Sequence, residues 1–178
     1  MADARWKGSS TPYLSDGQGD VWQQEAAALG RSGTQRITWA GETEAPEEIR
    51  TALGLAAGSG VIARQRLILL DEQPIELANS YWPSDVAGGT DLAQARKIRG
   101  GAVSLLADLG YRPASVDEQI RTRPPTEEEM RALELTDAHE WVLTLTRVIA
   151  NDHGRPYEVS VMVNPGRIGR LNYSMKVD

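Results

Sequence analysis

An internal duplication constrains this chain more than any other feature of its sequence. The order of elements from Pro46 to Pro83 recurs from Pro125 to Pro165, at an offset of about 80 residues. TALGL at 51–55 matches RALEL at 131–135, Arg66 matches Arg147, and Asp71 matches Asp152. Pro74 matches Pro156, Glu76 matches Glu158, and Pro83 matches Pro165. Each copy predicts a helix followed by a β-hairpin. Two copies are too few for a solenoid, which needs at least about three stacked units. The duplication therefore predicts one α+β domain: a mainly antiparallel sheet covered by helices on one side, with pseudo-symmetry between its halves.

The local signals around the repeat agree with this. Residues 1–19 are rich in Gly, Ser, Asp and Pro without periodicity, which predicts a linker or amino-terminal arm, and the domain proper is expected over 20–178. Asp20 opens a helix, with Gln23 placed for a capping-box-like pair, Trp22, Ala26 and Leu29 on one face, and Gly30 as the stop. Residues 34–40 alternate as a strand, and Pro46 starts the first repeated helix. Asp71-Glu72-Gln73-Pro74 is the turn of the first hairpin. A middle helix at 101–109 is expected to bury Val103, Leu106 and Leu109 and to end at Gly110. Thr126 and Glu129 form a capping box for the second repeated helix, and GRLNYSMKV at the end supplies one more strand.

Composition narrows the available chemistry. The 178 residues include no cysteine and two histidines, so thiolate sites are excluded and a multi-histidine metal site is not expected. A net charge of −6 gives no electrostatic reason for the chain itself to bind nucleic acid. No apolar run approaches the roughly 20 residues that span a bilayer, and the amino terminus lacks a signal-peptide core, so a cytoplasmic protein is expected.

Period-2 alternation places Ile62, Arg64, Arg66, Ile68 and Leu70 on one strand face, and Trp141, Leu143, Leu145, Arg147 and Ile149 on another. Both copies thus set an arginine on an apolar face, where an unpaired charge is costly. Two readings stand open. In one, Arg66 pairs with Glu76 and Arg147 with Glu158 across each hairpin. In the other, Arg66, Arg147 and Glu158 converge on a cleft between the repeats and present guanidinium forks to an acidic ligand group.

The succession ARQRLILLDEQPIELANSYWP, KIRGGAVSLLADLGY, RPPTEEEMRALEL and VLTLTRVIANDHGRPYEVSVMV closely resembles the UTRA domain of HutC-type GntR regulators, from about Asp20 to the end. The resemblance implies a chorismate-lyase-like fold, a homodimer, no cofactor, and a small-molecule effector pocket. It further implies that operator DNA is bound through amino-terminal winged helix domains, which this sequence does not contain. In family members that bind sugar phosphates, a ligand-binding arginine corresponds to Arg66 and a ligand-binding glutamate to Glu158. A second family arginine corresponds to Ile68, a phosphate-holding serine to Gly101, and an aromatic residue to Asn164. With those groups replaced, the expected effector is less anionic than a sugar phosphate, either carboxylate-bearing or largely apolar.

Trp22 falls where the family places pocket-wall residues, although a core or interface tryptophan is the commoner use of such a residue. Tyr81 and Trp82 either line the same cleft or cover the sheet edge. His139 and His153 sit beside turns, and Glu127, Glu128 and Glu129 complement a helix dipole. A regulator rather than an enzyme is expected, because no acid–base set accompanies Glu158. The alternatives are a chorismate-lyase-like enzyme and a dimerisation module with a vestigial pocket.

Overall fold

The computed structural model describes residues 11–14, 20–137 and 139–169. The final predicted strand, GRLNYSMKV at 169–177, lies outside the described residues apart from Gly169. Of the predicted arm, residues 11–14 are described, and they form a short 3-10 turn.

Six strands form one antiparallel sheet: β1 (Gly33–Glu44), β2 (Gly60–Leu70), β3 (Gln73–Pro83), β4 (Ser115–Arg123), β5 (Val142–Ala150) and β6 (Pro156–Pro165). Their order is β1-β2-β3-β6-β5-β4, so each repeat contributes three strands and the two hairpins meet at β3 and β6. In that central pair Asn79 lies opposite Val161. The shift that carries Pro74 to Pro156 also carries Asn79 to Val161, so the pseudo-twofold axis passes through this pair. The same operation holds outward: Arg66 faces Ala78 and Ile37, while Arg147 faces Ser160 and Glu118. The duplication thus extends to β1 and β4, which the sequence comparison had not included.

Helices cover both faces of the sheet, not one as the repeat suggested. On the rear face, α2 (Glu47–Ala52) packs Ile49 against Val61 and Val159, and α5 (Glu127–Ala132) with the turn after it packs Met130, Leu133 and Leu135 against Leu67, Val142 and Val163. Each of these clusters mixes strands from both repeats, which locks the halves together by apolar burial worth about 1.5–3 kcal/mol for each large side chain. On the front face, α1 (Val21–Ala28) covers one end of the strands. Residues 84–111, including α3 (Ser84–Ala87) and α4 (Gly101–Asp108), cover the other.

Local chemistry explains most boundaries. The Asp20 carboxylate accepts the Gln23 amide and caps α1, while Thr126 and Glu129 make the reciprocal capping box of α5. Gly33 is required where α1 crosses β1, because a Cβ there would sit 2.7 Å from the Ala26 Cβ and 2.9 Å from the Trp22 Nε1. Asp71 and Glu72 both take positive φ in the first hairpin turn. The Asp71 carboxylate holds that geometry by accepting from the Ser32 amide and the Arg31 Nε, bonds that also hold its carboxyl below the usual range. Two apolar expectations fail at helix ends: Leu29 is 59% exposed and Leu109 46% exposed, each beyond the last turn that packs on the sheet.

Candidate functional site

Every inner strand crosses the front face in the same sequence: apolar, polar, apolar. Under the α3–α4 end lie Ile62, Trp82, Ile149 and Tyr157; under α1 lie Ile68, Leu70, Ile75 and Ala78 with Met162. Between them runs a polar belt of Arg64, Arg66, Ser80, Arg147, Glu158 and Ser160. Five of these six are buried, Arg66 being half-buried. Polar groups in such a position are costly unless hydrogen-bonded, so their partners define what the belt can do.

Four of the members form a directed chain. Arg66 Nη2 donates to Ser80 Oγ at 3.3 Å, Ser80 and Ser160 hydroxyls bond at 2.8 Å, and Ser160 Oγ donates to Glu158 Oε1 at 2.9 Å. Because Ser160 donates to a carboxylate, Ser80 must donate to Ser160. The Trp82 indole donates to the other Glu158 oxygen at 2.9 Å. Glu158 is therefore fixed by one donor on each oxygen.

The three arginines have different fates. Arg64 donates to the carbonyls of Gln94 and Arg96 at 2.6 and 2.5 Å and ties the 91–100 segment down on the sheet. Burial, with the Arg66 charge nearby, lowers its affinity for its proton. Arg147 Nε donates to Glu118 Oε1 at 2.8 Å, a nearly buried ion pair with β4. Arg66 makes no ion pair among the described residues, and its buried Nε has no hydrogen-bond partner. The difference follows from the duplication: the position opposite Arg147 is Glu118, and the equivalent position opposite Arg66 is Ile37.

A second acidic group lies two residues beyond Ala78, toward α1. Glu76 faces Ile68, and its Oε2 accepts from Asn164 Nδ2 at 3.0 Å. Burial pushes the Glu76 carboxyl up, against the opposing pull of Asn164, Arg66 and Arg147. Glu25 on α1, itself bonded by the Tyr13 hydroxyl at 2.7 Å, adds to that upward push.

Residues 28–167 match the model of the UTRA domain. This chain belongs to the UTRA domain family. The family is the effector-binding domain of GntR-type transcription regulators, and the fold agrees. The chain is 31% identical over 180 residues to an uncharacterized HTH-type transcriptional regulator of Streptomyces coelicolor, covering 98% of this chain and 63% of that protein. The chain thus spans less than two thirds of that relative. Its fold is similar to the effector domain of PhnF from Mycobacterium smegmatis, with TM-score 0.74 and 18% identity over 88% of this chain and 94% of that one. It is also similar to the C-terminal domain of the histidine utilization repressor from Pseudomonas syringae pv. tomato, with TM-score 0.70 and 17% identity, over 82% and 99% of the two chains.

Within this UTRA domain the structure brings Arg66 and Glu158 onto one belt, linked through Ser80 and Ser160. Neither hairpin pairing predicted from sequence forms. Arg66 lies opposite Ala78 rather than Glu76, and Arg147 turns to Glu118 rather than Glu158, because Ser160 occupies its register position. Tyr81 is not brought into the belt; it points to the rear face and packs in the cluster of Ile49, Val61 and Val159. Trp22 is a core residue, 5% exposed, with its indole N–H donating to the Leu69 carbonyl. Ile68 packs beside it, with Ala26 and Ala78. Asn164 stands at the α1 end and donates to the Ile75 carbonyl as well as to Glu76. Gly101 opens α4 at φ +84°, a conformation that would strain a serine there. Trp141 lies before β5 and is exposed. Ser80 and Ser160 were missed; the two serines stand at register-paired positions across the central strands, which only the register reveals. Among the described residues there is no group of acidic or histidine side chains placed to hold a metal, and no helix long and apolar enough to cross a membrane.

Proposed function

We propose that this UTRA domain senses a small effector bearing an acidic group, with Arg66 as its anchor. The supporting observation is that Arg66 makes no ion pair among the described residues, whereas its duplicate Arg147 pairs with Glu118. A guanidinium on an apolar-walled belt gains most from a bidentate anion, and the described residues supply none. A single arginine with Ile68 and Gly101 in place of further phosphate ligands favours a carboxylate over a sugar phosphate. Glu158, held by Trp82 and Ser160, acts as an acceptor that orients the site rather than as a mobile acid or base, which favours a sensor over an enzyme.

On this reading the domain forms a homodimer in the cytoplasm and controls operator binding by an amino-terminal winged helix domain. The exposed Trp39, Val116 and Ile120 on the outer strands support self-association.

Tryptophan fluorescence titration with a panel of small carboxylates tests the anchor, since Trp82 is one hydrogen bond from the belt. Arg66→Ala is expected to weaken binding by about tenfold to a hundredfold, the range for losing a charge-assisted contact, while the far-ultraviolet spectrum is unchanged. Ile37→Glu copies Glu118 and should silence the site by pairing Arg66 internally, without lowering thermal stability. Affinity unchanged in both variants would refute Arg66 as the anchor.

A further inference from the structure

The front face holds a second charged feature that the anion site does not absorb. Glu76 and Arg66 carry opposite charges on adjacent strands of one face, yet they do not pair. Along β3, Glu76 is two residues from Ala78, the register partner of Arg66, a separation of about 7 Å along the strand. Each has spare valence: the Arg66 Nε has no acceptor, and among the described residues the Glu76 carboxyl receives one hydrogen bond, from Asn164. The surroundings differ at the two ends. Around Glu76 stand Glu25 and the Tyr13 hydroxyl that bonds it; around Arg66 stand Arg64 and the Ser80 hydroxyl.

We infer that the effector is a zwitterion, an amino acid or similar amino-carboxylate, whose acidic group docks on Arg66 while its ammonium is received by Glu76 beside Asn164. The inference rests on the Arg66 anchor proposed above and adds a second recognition point to it. Asn164 uses both amide protons, on the Ile75 carbonyl and Glu76 Oε2, so it fixes the Glu76 side chain and leaves Oε1 to accept from a ligand. A plain carboxylate satisfies Arg66 and leaves Glu76 buried without a cation. A phosphate adds negative charge near Glu76 and is repelled by it. An ammonium beside Glu76 offsets the burial that disfavours its charged form.

The test is isothermal titration of the whole chain with the common α-amino acids and the straight-chain ω-amino acids from glycine to 6-aminohexanoate. Each is compared with the carboxylate lacking its amine. At least one amino acid should bind ten times or more tighter than its deaminated counterpart. Glu76→Gln should bring that ratio to within about threefold while the plain carboxylate keeps its affinity, since loss of one charge-assisted partner accounts for about tenfold or more. Equal binding of the two series, or a preference that survives Glu76→Gln, overturns the inference and leaves Arg66 standing if Arg66→Ala still weakens binding about tenfold or more. Absence of binding by every carboxylate, aminated or not, overturns both.

Discussion

Arg64, Arg66 and Arg147 are the same side chain on the same face of one sheet, and their neighbours give them three tasks. Arg64 reaches two backbone carbonyls and pins a connecting segment; Arg147 meets Glu118; Arg66 meets Ile37 and one serine hydroxyl. Duplication supplied two equivalent arginines, and divergence at one edge-strand position, Ile37 against Glu118, leaves Arg66 without an ion pair among the described residues. Glu76 carries the pH signature of the site. Its folded-state pKa is raised by burial, so the unfolded chain ionises first as pH rises above about 4.3, and stability falls until the folded carboxyl ionises too. Glu76→Gln removes that dependence while keeping an acceptor for Asn164. In thermal unfolding, the variant should match the parent near pH 4 and exceed it by up to a few degrees at pH 7. A gain that does not grow with pH would mean that burial of the charge is not what limits stability there.

At the level of single elements, the most legible part of the chain was α5. Thr126 Oγ1 accepts the Glu129 amide at 3.2 Å, and Glu129 Oε2 accepts the Thr126 amide at 2.8 Å. Arg123 from β4 closes on both oxygens of Glu129 at 2.6 and 2.7 Å, which the capping pattern did not announce. The Arg123 fork, helped by the Thr126 amide, holds the Glu129 carboxyl below its usual range. It also ties the end of β4 to the start of the helix that covers the rear face. Thr126→Ala should cost about 1 kcal/mol. For a chain of this size that lowers Tm by roughly 2–4 °C in a calorimetric scan. No change in Tm would show that Arg123 alone secures the helix start. The hairpins were legible as hairpins but not in register, because the alternation of Ile62 to Leu70 is compatible with more than one offset of the partner strand.

For the molecule as a whole, the sequence of strands β1-β2-β3-β6-β5-β4 places the two halves back to back, with β1 and β4 as outer edges. Such edges expose backbone donors and acceptors, and Trp39, Val116 and Ile120 add apolar side chains to them. Sedimentation equilibrium at micromolar concentration is expected to show a dimer, and a strict monomer would remove the dimerisation role. With a net charge of −6, this chain alone should give no sequence-specific gel shift with operator DNA. A specific shift would place DNA recognition within the sensor itself.

The sequence by itself determined the α+β class, the duplication, the positions of hairpins and helix caps, and the pair of arginines on an apolar face. These rest on local propensity, side-chain periodicity and repeated residues, all of which survive in one dimension. Only the tertiary structure decided which arginine meets a carboxylate among the described residues, because that depends on the residue facing it from an edge strand about thirty positions away, Ile37 or Glu118. The same holds for helices on both faces, for Tyr81 on the rear, and for the serine chain across β3 and β6. Strand register, with its two-residue period, assigns each side chain to a face and to a partner, and it is fixed by packing of the assembled sheet rather than by any one strand.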